Sequence, residues 1–270
     1  MAKYKKKRAR ELRQDVFRDK TLGLFDRLGD RLEGKGRTIL YVIAAVVAVA
    51  LLAGMFSWWR ARKTDEARRA LGRAIGIAQA PVTPSPAPGS TTPSFPTEDA
   101  RAKQAVEEFQ KVADKYGDPY REISRYFIAT NLLTIDRKRG ISELQTLSKS
   151  DDQRVSTLAK FALAQAKEAD GQDEEAIALY QELAQQNGTI ITPETAKLRL
   201  AAIYEKQGKK KEAADLLYPI VEEARKAKGP DGKPAPQSAA GREAAQRLEK
   251  LDPARYEQLP PEPTADDLGI

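Results

Sequence analysis

The feature that most constrains this chain is a run of twenty residues, Ile39–Trp58, that contains no charged side chain. A helix rises about 1.5 Å per residue, so this run spans about 30 Å, the thickness of a bilayer's hydrocarbon core. Tyr41 lies near one end of the run, and Trp58 and Trp59 lie at the other. Because such rings anchor helices at the membrane interface, we predict a transmembrane helix over residues 38–59 with these three residues as membrane-interface anchors.

Two other interpretations of the run are weaker. The Ala48–Ala50 segment matches the small-residue pattern of a signal-peptide cleavage site, but more apolar residues follow it. The run is also longer than the usual signal-peptide core of about 7–15 residues. A helix buried in a soluble domain is less favoured still, because this one is apolar on every side.

The net charge of +7 is confined to the N-terminal arm, residues 1–37, which carry 13 Lys/Arg and 6 Asp/Glu. The rest of the chain is balanced, so a basic surface for nucleic acid is not predicted. The arm, with an amphipathic helix over residues 11–33, is suited to anionic membrane lipids. The basic residues adjoining the two ends of the span tie in number, but the cluster between Lys3 and Arg13 favours a cytoplasmic N-terminus.

The chain contains no Cys and no His. Disulfides, thiol chemistry, zinc fingers and imidazole catalysis are therefore excluded. Paired carboxylates such as Glu174 and Glu175 are adjacent on a predicted helix, so they point in different directions and are expected to solvate it. We predict that the protein is not an enzyme and takes no metal, cofactor or small-molecule substrate.

Beyond the span, composition divides the chain into four segments. We predict a membrane-proximal helix over 60–80 and a flexible loop over 81–97, which holds six prolines between Pro81 and Pro96. A helical-repeat domain follows over 98–251. The acidic, proline-rich tail, 252–270, is expected to be disordered.

An internal repeat defines the helical domain. Each unit consists of an apolar helix, a glycine turn and a second apolar helix. Four residues of one unit recur 37 residues later in the next: Leu163, Ala164, Gly171 and Ala176 correspond to Leu200, Ala201, Gly208 and Ala213. A weaker unit begins 35 residues earlier, with Ile128 and Ala129 on the small-residue pair, and its short second helix, 141–147, lacks the alanine. Before it we expect a hairpin split by the proline loop, its first helix within 60–80. Ser238 is predicted to begin a capping helix, Ala239–Leu251.

The predicted fold class is therefore all-α, a transmembrane helix followed by a solenoid of helical hairpins. Glycine breaks every 35–37 residues argue against a coiled coil, and a non-repeating bundle is the remaining alternative. The unit resembles the tetratricopeptide repeat, which is normally about 34 residues long. Tyr204 falls on that repeat's tyrosine position, whereas Lys167 departs from it.

The whole chain, with its Gly–Met–Phe–Ser–Trp–Trp exit from the span, resembles the YfgM-like family of bacterial inner-membrane proteins. That resemblance implies a cytoplasmic N-terminus, a periplasmic repeat domain, and association with the SecYEG translocon and a periplasmic chaperone. It further implies a role in assisting exported client proteins. The competing hypothesis is a scaffold for the envelope or cell-division machinery.

Stacked hairpins leave a concave groove lined by the first helix of each unit, which suits protein partners. The repeat's groove positions fall on eight residues of this chain, which form the predicted partner-binding groove: Tyr126, Thr130, Leu133, Phe161, Gln165, Leu198, Ala202 and Glu205.

Overall fold

A computed structural model describes residues 36–84, 93–186, 190–230 and 232–263. Within these ranges the chain forms ten helices and no strand, in this order: α1 (Gly36–Ala78), α2 (Glu98–Lys115), α3 (Tyr120–Ile135), α4 (Arg137–Leu147), α5 (Gln153–Ala169), α6 (Asp173–Gln185), α7 (Pro193–Lys206), α8 (Lys210–Lys226), α9 (Ala239–Leu251) and α10 (Pro253–Tyr256). The chain divides into two compact units after Asp65. The predicted amphipathic helix over 11–33 lies outside the described residues.

The first unit contains the apolar stretch of α1. In the described part of the chain this is the one helix long and apolar enough to cross a membrane. Its side chains from Tyr41 to Lys63 are all exposed, with Trp58 62% and Trp59 50% exposed. The Arg62 guanidinium lies 5.5 Å from the Trp58 ring and the Lys63 ammonium 3.8 Å from the Trp59 ring.

The second unit is a stack of helical hairpins, which confirms the all-α repeat architecture. Hairpin 1 pairs the end of α1, from Glu66, with α2. Hairpins 2, 3 and 4 are α3–α4, α5–α6 and α7–α8. Ala74 of α1 is fully buried in a cluster with Ala105 and Phe109 of α2, as the split-hairpin prediction requires. Helix α9 packs on α8 and ends the stack.

Small residues occupy the positions where the two helices of a hairpin cross. Ala105, Ala176 and Ala213 lie in the second helices and are fully buried. Gly140 holds the matching place in hairpin 2, where a Cβ would lie 2.8 Å from the Leu133 nitrogen and 2.9 Å from the Ala129 oxygen. The second helix of hairpin 2 lacks the alanine, as the sequence indicates, but it begins at Arg137 and not at residue 141, so Gly140 takes the place of the alanine.

The turns of hairpins 3 and 4 have the same hydrogen-bonded geometry. Gly171 and Gly208 have φ of 72° and 75°, a left-handed conformation that glycine adopts without strain. The residue after each glycine donates to the fifth residue before it, Gln172 to Lys167 and Lys209 to Tyr204, at 2.9 and 2.8 Å. Each first helix thus ends in a Schellman motif that reverses the chain.

The described ends of the proline-rich segment are held together. Thr83 donates its backbone N–H to the Phe95 oxygen at 2.8 Å, and Phe95 donates to the Pro81 oxygen at 3.0 Å. Arg101 of α2 donates to the Ala80 oxygen at 3.2 Å. The segment therefore leaves and re-enters hairpin 1 at one point, while residues 85–92 of the predicted loop lie outside the described ranges.

The expectation of a disordered tail is wrong for residues 252–263. Asp252 caps the short helix α10, and Leu259 is only 7% exposed within the core cluster of hairpin 4. Arg225 of α8 donates to the Tyr256 hydroxyl and to the Pro260 oxygen, both at 2.7 Å. The tail therefore forms a strap across the end of the solenoid.

Candidate protein-binding groove

The first helices of hairpins 2 and 3, α3 and α5, contact one another directly, and α7, the first helix of hairpin 4, contacts the capping helix α9. This is the arrangement expected where first helices line the inner surface of a solenoid. All eight predicted groove residues lie on α3, α5 or α7, and each is at least partly buried. What each side chain contacts decides whether a partner has access to it.

Tyr126 and Leu133 of α3 lie at the junction between hairpins 2 and 3. Both pack against a buried cluster that includes Ala159 and Leu163 of α5. Burial raises the pKa of the Tyr126 hydroxyl above its ordinary value. The two residues hold neighbouring hairpins together, and only part of each side chain remains accessible.

Phe161 occupies the equivalent junction in hairpin 3. Its ring meets that of Tyr180 edge-on, with centroids 5.9 Å apart. Tyr180 is fully buried and donates its hydroxyl to the Glu168 carboxylate at 2.9 Å. Burial first, and then the charge of Glu168, raise the pKa of Tyr180. This aromatic pair joins the two helices of the hairpin.

Leu198 and Glu205 of α7 differ from the other predicted groove residues in their surroundings. Leu198 is buried, 7% exposed, in the core of hairpin 4. Arg247 of α9 donates to the Leu198 oxygen at 3.2 Å, and its guanidinium lies 3.7 Å from the Glu205 carboxylate. The prediction that Leu198 lines an accessible groove is therefore wrong, because the capping helix covers this end of α7.

Thr130, Gln165 and Ala202 remain as a row at one repeated position on the three first helices. They follow one another at intervals of 35 and 37 residues, and all three are half-buried and uncharged. The Thr130 hydroxyl donates to the Phe127 oxygen of its own helix at 3.0 Å. We call these three residues the groove row.

A cavity of about 440 Å³ lies away from the groove, between α2 and α4 and over α3. None of the eight predicted residues lines it. Its lining includes three arginines, Arg121, Arg125 and Arg139, which sequence reasoning did not single out. The four-residue step from Arg121 to Arg125 places two of them on one face of α3, but the third comes from a separate helix.

Fold and groove together define a helical-repeat protein of the kind that binds other proteins. The tetratricopeptide repeat family matches residues 158–188, which cover most of α5 and all of α6. The chain therefore contains a tetratricopeptide repeat, a protein–protein interaction module, within an all-α solenoid. This match supports the tetratricopeptide repeat alone and does not confirm the resemblance to the YfgM-like family. No curated protein and no solved structure matches the chain.

Proposed function

We propose that this protein is a non-enzymatic, membrane-anchored adaptor or chaperone. Helix α1 anchors it in the bacterial inner membrane with a cytoplasmic N-terminus, and the solenoid binds protein segments outside the cytoplasm. The observation that carries the proposal is one helix, α1, whose apolar stretch is fully exposed while its end from Glu66 packs into the repeat stack. The partners follow from the YfgM-like resemblance: the SecYEG translocon, a periplasmic chaperone and exported clients.

The groove row is the surface through which partners would bind. An uncharged, half-buried row suits extended or helical segments whose side chains are mostly apolar. Tyr126 and Phe161 are unsuitable sites for a binding test, because they pack between hairpins and a charge there would disturb the fold.

The test places a photocrosslinking amino acid at Gln165 of the full-length protein in cells. The matched control is Gln181, an exposed glutamine on α6, outside the first helices. Crosslinks from position 165 to translocon subunits or exported proteins, with none from position 181, are the expected result. Equal crosslinking from both positions would remove the groove from the proposal, and division proteins in place of translocon subunits would favour the scaffold hypothesis.

A further inference from the structure

The cavity between α2 and α4, which we call the arginine notch, has a basic rim and an apolar floor. Ala113 and Ile128 form the floor and are each 7% exposed. Arg121, Arg125 and Arg139 lie around it, with Gln110, Asp114 and Glu143 completing the lining. A volume of about 440 Å³ falls within the range of about 300–1,000 Å³ that is typical of ligand sites.

Two of the three guanidinium groups are available to a ligand. Arg125 lies between Glu122 and Glu143, at 3.4 Å from each carboxylate. The side chains of Arg121 and Arg139 make no hydrogen bond or ion pair with any residue in the described ranges. Each guanidinium presents five N–H donors in a planar fork that matches a carboxylate.

The acidic residues of the notch already have partners. Asp114 accepts from the Gln110 amide at 2.8 Å, and Glu143 pairs with Arg125. The neutral Gln110 amide leaves the charge of Asp114 in place, so the three arginines and two carboxylates give the lining a net charge of +1 beside an apolar floor. This combination matches a peptide in which a carboxylate side chain adjoins an apolar one, because the guanidinium fork holds the first while the floor buries the second.

We propose that the arginine notch is a second binding site, which takes an acidic segment of a partner protein. The site is separate from the groove row, since none of its lining residues belongs to the predicted groove. It requires neither the translocon nor any particular topology, so its test can fail or succeed independently of the proposed function.

The test measures binding of a fluorescein-labelled peptide of alternating glutamate and leucine to the full-length protein in neutral detergent. A peptide with glutamine in place of glutamate reports the share of binding that depends on carboxylates. The test variant is R121A/R139A, and the control is K103A/K138A, which removes two exposed lysines of α2 and α4 outside the notch. Both variants lose two positive charges, and thermal unfolding monitored by circular dichroism checks that both remain folded.

The glutamate peptide is expected to bind the native protein and the lysine variant alike, and to bind R121A/R139A about tenfold more weakly, since charge-assisted hydrogen bonds are lost. An equal loss in both variants would show general electrostatic attraction and overturn the proposal. Equal binding of the glutamine peptide, or no binding at all, would also overturn it. Equally strong displacement by inorganic phosphate and by unlabelled peptide would show a simple anion site, and would overturn the assignment to a peptide.

Discussion

At the scale of single residues, close helix crossings determine where the hairpins can form. In hairpin 2, a Cβ at Gly140 would meet backbone atoms of α3, the Leu133 nitrogen at 2.8 Å and the Ala129 oxygen at 2.9 Å. Backbone cannot move aside as the end of a side chain can. The helices of this hairpin therefore depend on one missing methyl group.

We expect Gly140→Ala to lower the free energy of unfolding by about 1–3 kcal/mol, the usual cost of an overpacked core. The matched control is Gly72→Ala in α1, where nothing lies within 4 Å of the added Cβ. There, alanine is expected to stabilise the helix by up to about 1 kcal/mol. Urea unfolding of both variants measures the difference, and equal effects at the two sites would contradict the close crossing.

Tyr180 makes the free energy of unfolding depend on pH in the alkaline range. The folded state raises the pKa of its hydroxyl, so the native protein keeps this proton where the unfolded chain, with an ordinary tyrosine pKa near 10, releases it. The native state then binds more protons than the unfolded state, and stability falls as pH rises above about 10.

Comparison with Tyr180→Phe isolates this contribution. At pH 8 the native protein should be more stable than the variant, which lacks the hydrogen bond to Glu168. That advantage should shrink by about 1 kcal/mol between pH 8 and pH 11, because the tyrosine of the unfolded chain gains stability by ionising. Chemical unfolding at a series of pH values measures it, and a constant difference would contradict the assignment.

At the scale of helices, the solenoid ends in two layers, α9 and then the strap. Leu259 brings an apolar side chain to hairpin 4, and Arg225 holds the strap through Tyr256 and Pro260. Repeat arrays need such covers because their last hairpin would otherwise expose its apolar face.

Leu259→Ala should lower the free energy of unfolding by about 2 kcal/mol, the lower part of the range for buried leucine. The neighbouring Gln258 is exposed, so Gln258→Ala should change it by less than about 0.5 kcal/mol. Thermal unfolding of the two variants beside the native protein measures both effects. A Leu259 variant as stable as the Gln258 control would show that the strap does not hold the last hairpin.

Local signals predicted the helices well, and contacts between distant residues explain the errors. Helix α9 spans the predicted residues because Ser238 supplies its own N-terminal cap, accepting from Gly241 at 3.0 Å. Helix α4 begins at Arg137, four residues before the predicted start, because the Asp136 side chain caps it and accepts from the Arg139 N–H at 3.2 Å. The strap was missed because its composition is typical of disorder, whereas its order comes from contacts with α8.

The repeat period predicts which residues occupy the candidate groove positions. It does not predict whether a partner has access to them. The period places Thr130, Gln165 and Ala202 at one position on successive first helices. It carries no information on Arg247, whose approach to Leu198 depends on how α9 packs. The arginine notch was likewise hidden, since its arginines converge only when α3 and α4 are folded together.

At the scale of the whole molecule, topology is the property that most directly tests the proposed function. The native chain has no cysteine, so a single introduced cysteine reports its location without background. If the N-terminus is cytoplasmic, Gln181→Cys should react with a membrane-impermeant maleimide in intact spheroplasts. Ala2→Cys should react only after the membrane is permeabilised, and the reverse pattern would contradict the proposed orientation.

Two ion pairs at corresponding hairpin junctions have opposite polarity. Between hairpins 2 and 3, Arg137 of α4 pairs with Asp170 at 2.6 Å; between hairpins 3 and 4, Asp173 of α6 pairs with Lys206 at 3.2 Å. Positive charge thus comes from the earlier hairpin at one junction and from the later hairpin at the next.

This reversal limits how the array can grow by gene duplication. With the 37-residue period, a tandem copy of hairpin 3 would place a second Ala169 at the position of Lys206 and a second Asp170 next to it. Asp173 would then lose its cationic partner and have a carboxylate nearby. Because these ion pairs are partly exposed, the exchange would cost about 1 kcal/mol or less. Side-chain charge at this junction therefore adds a small preference for the present order of hairpins to that set by the apolar repeat.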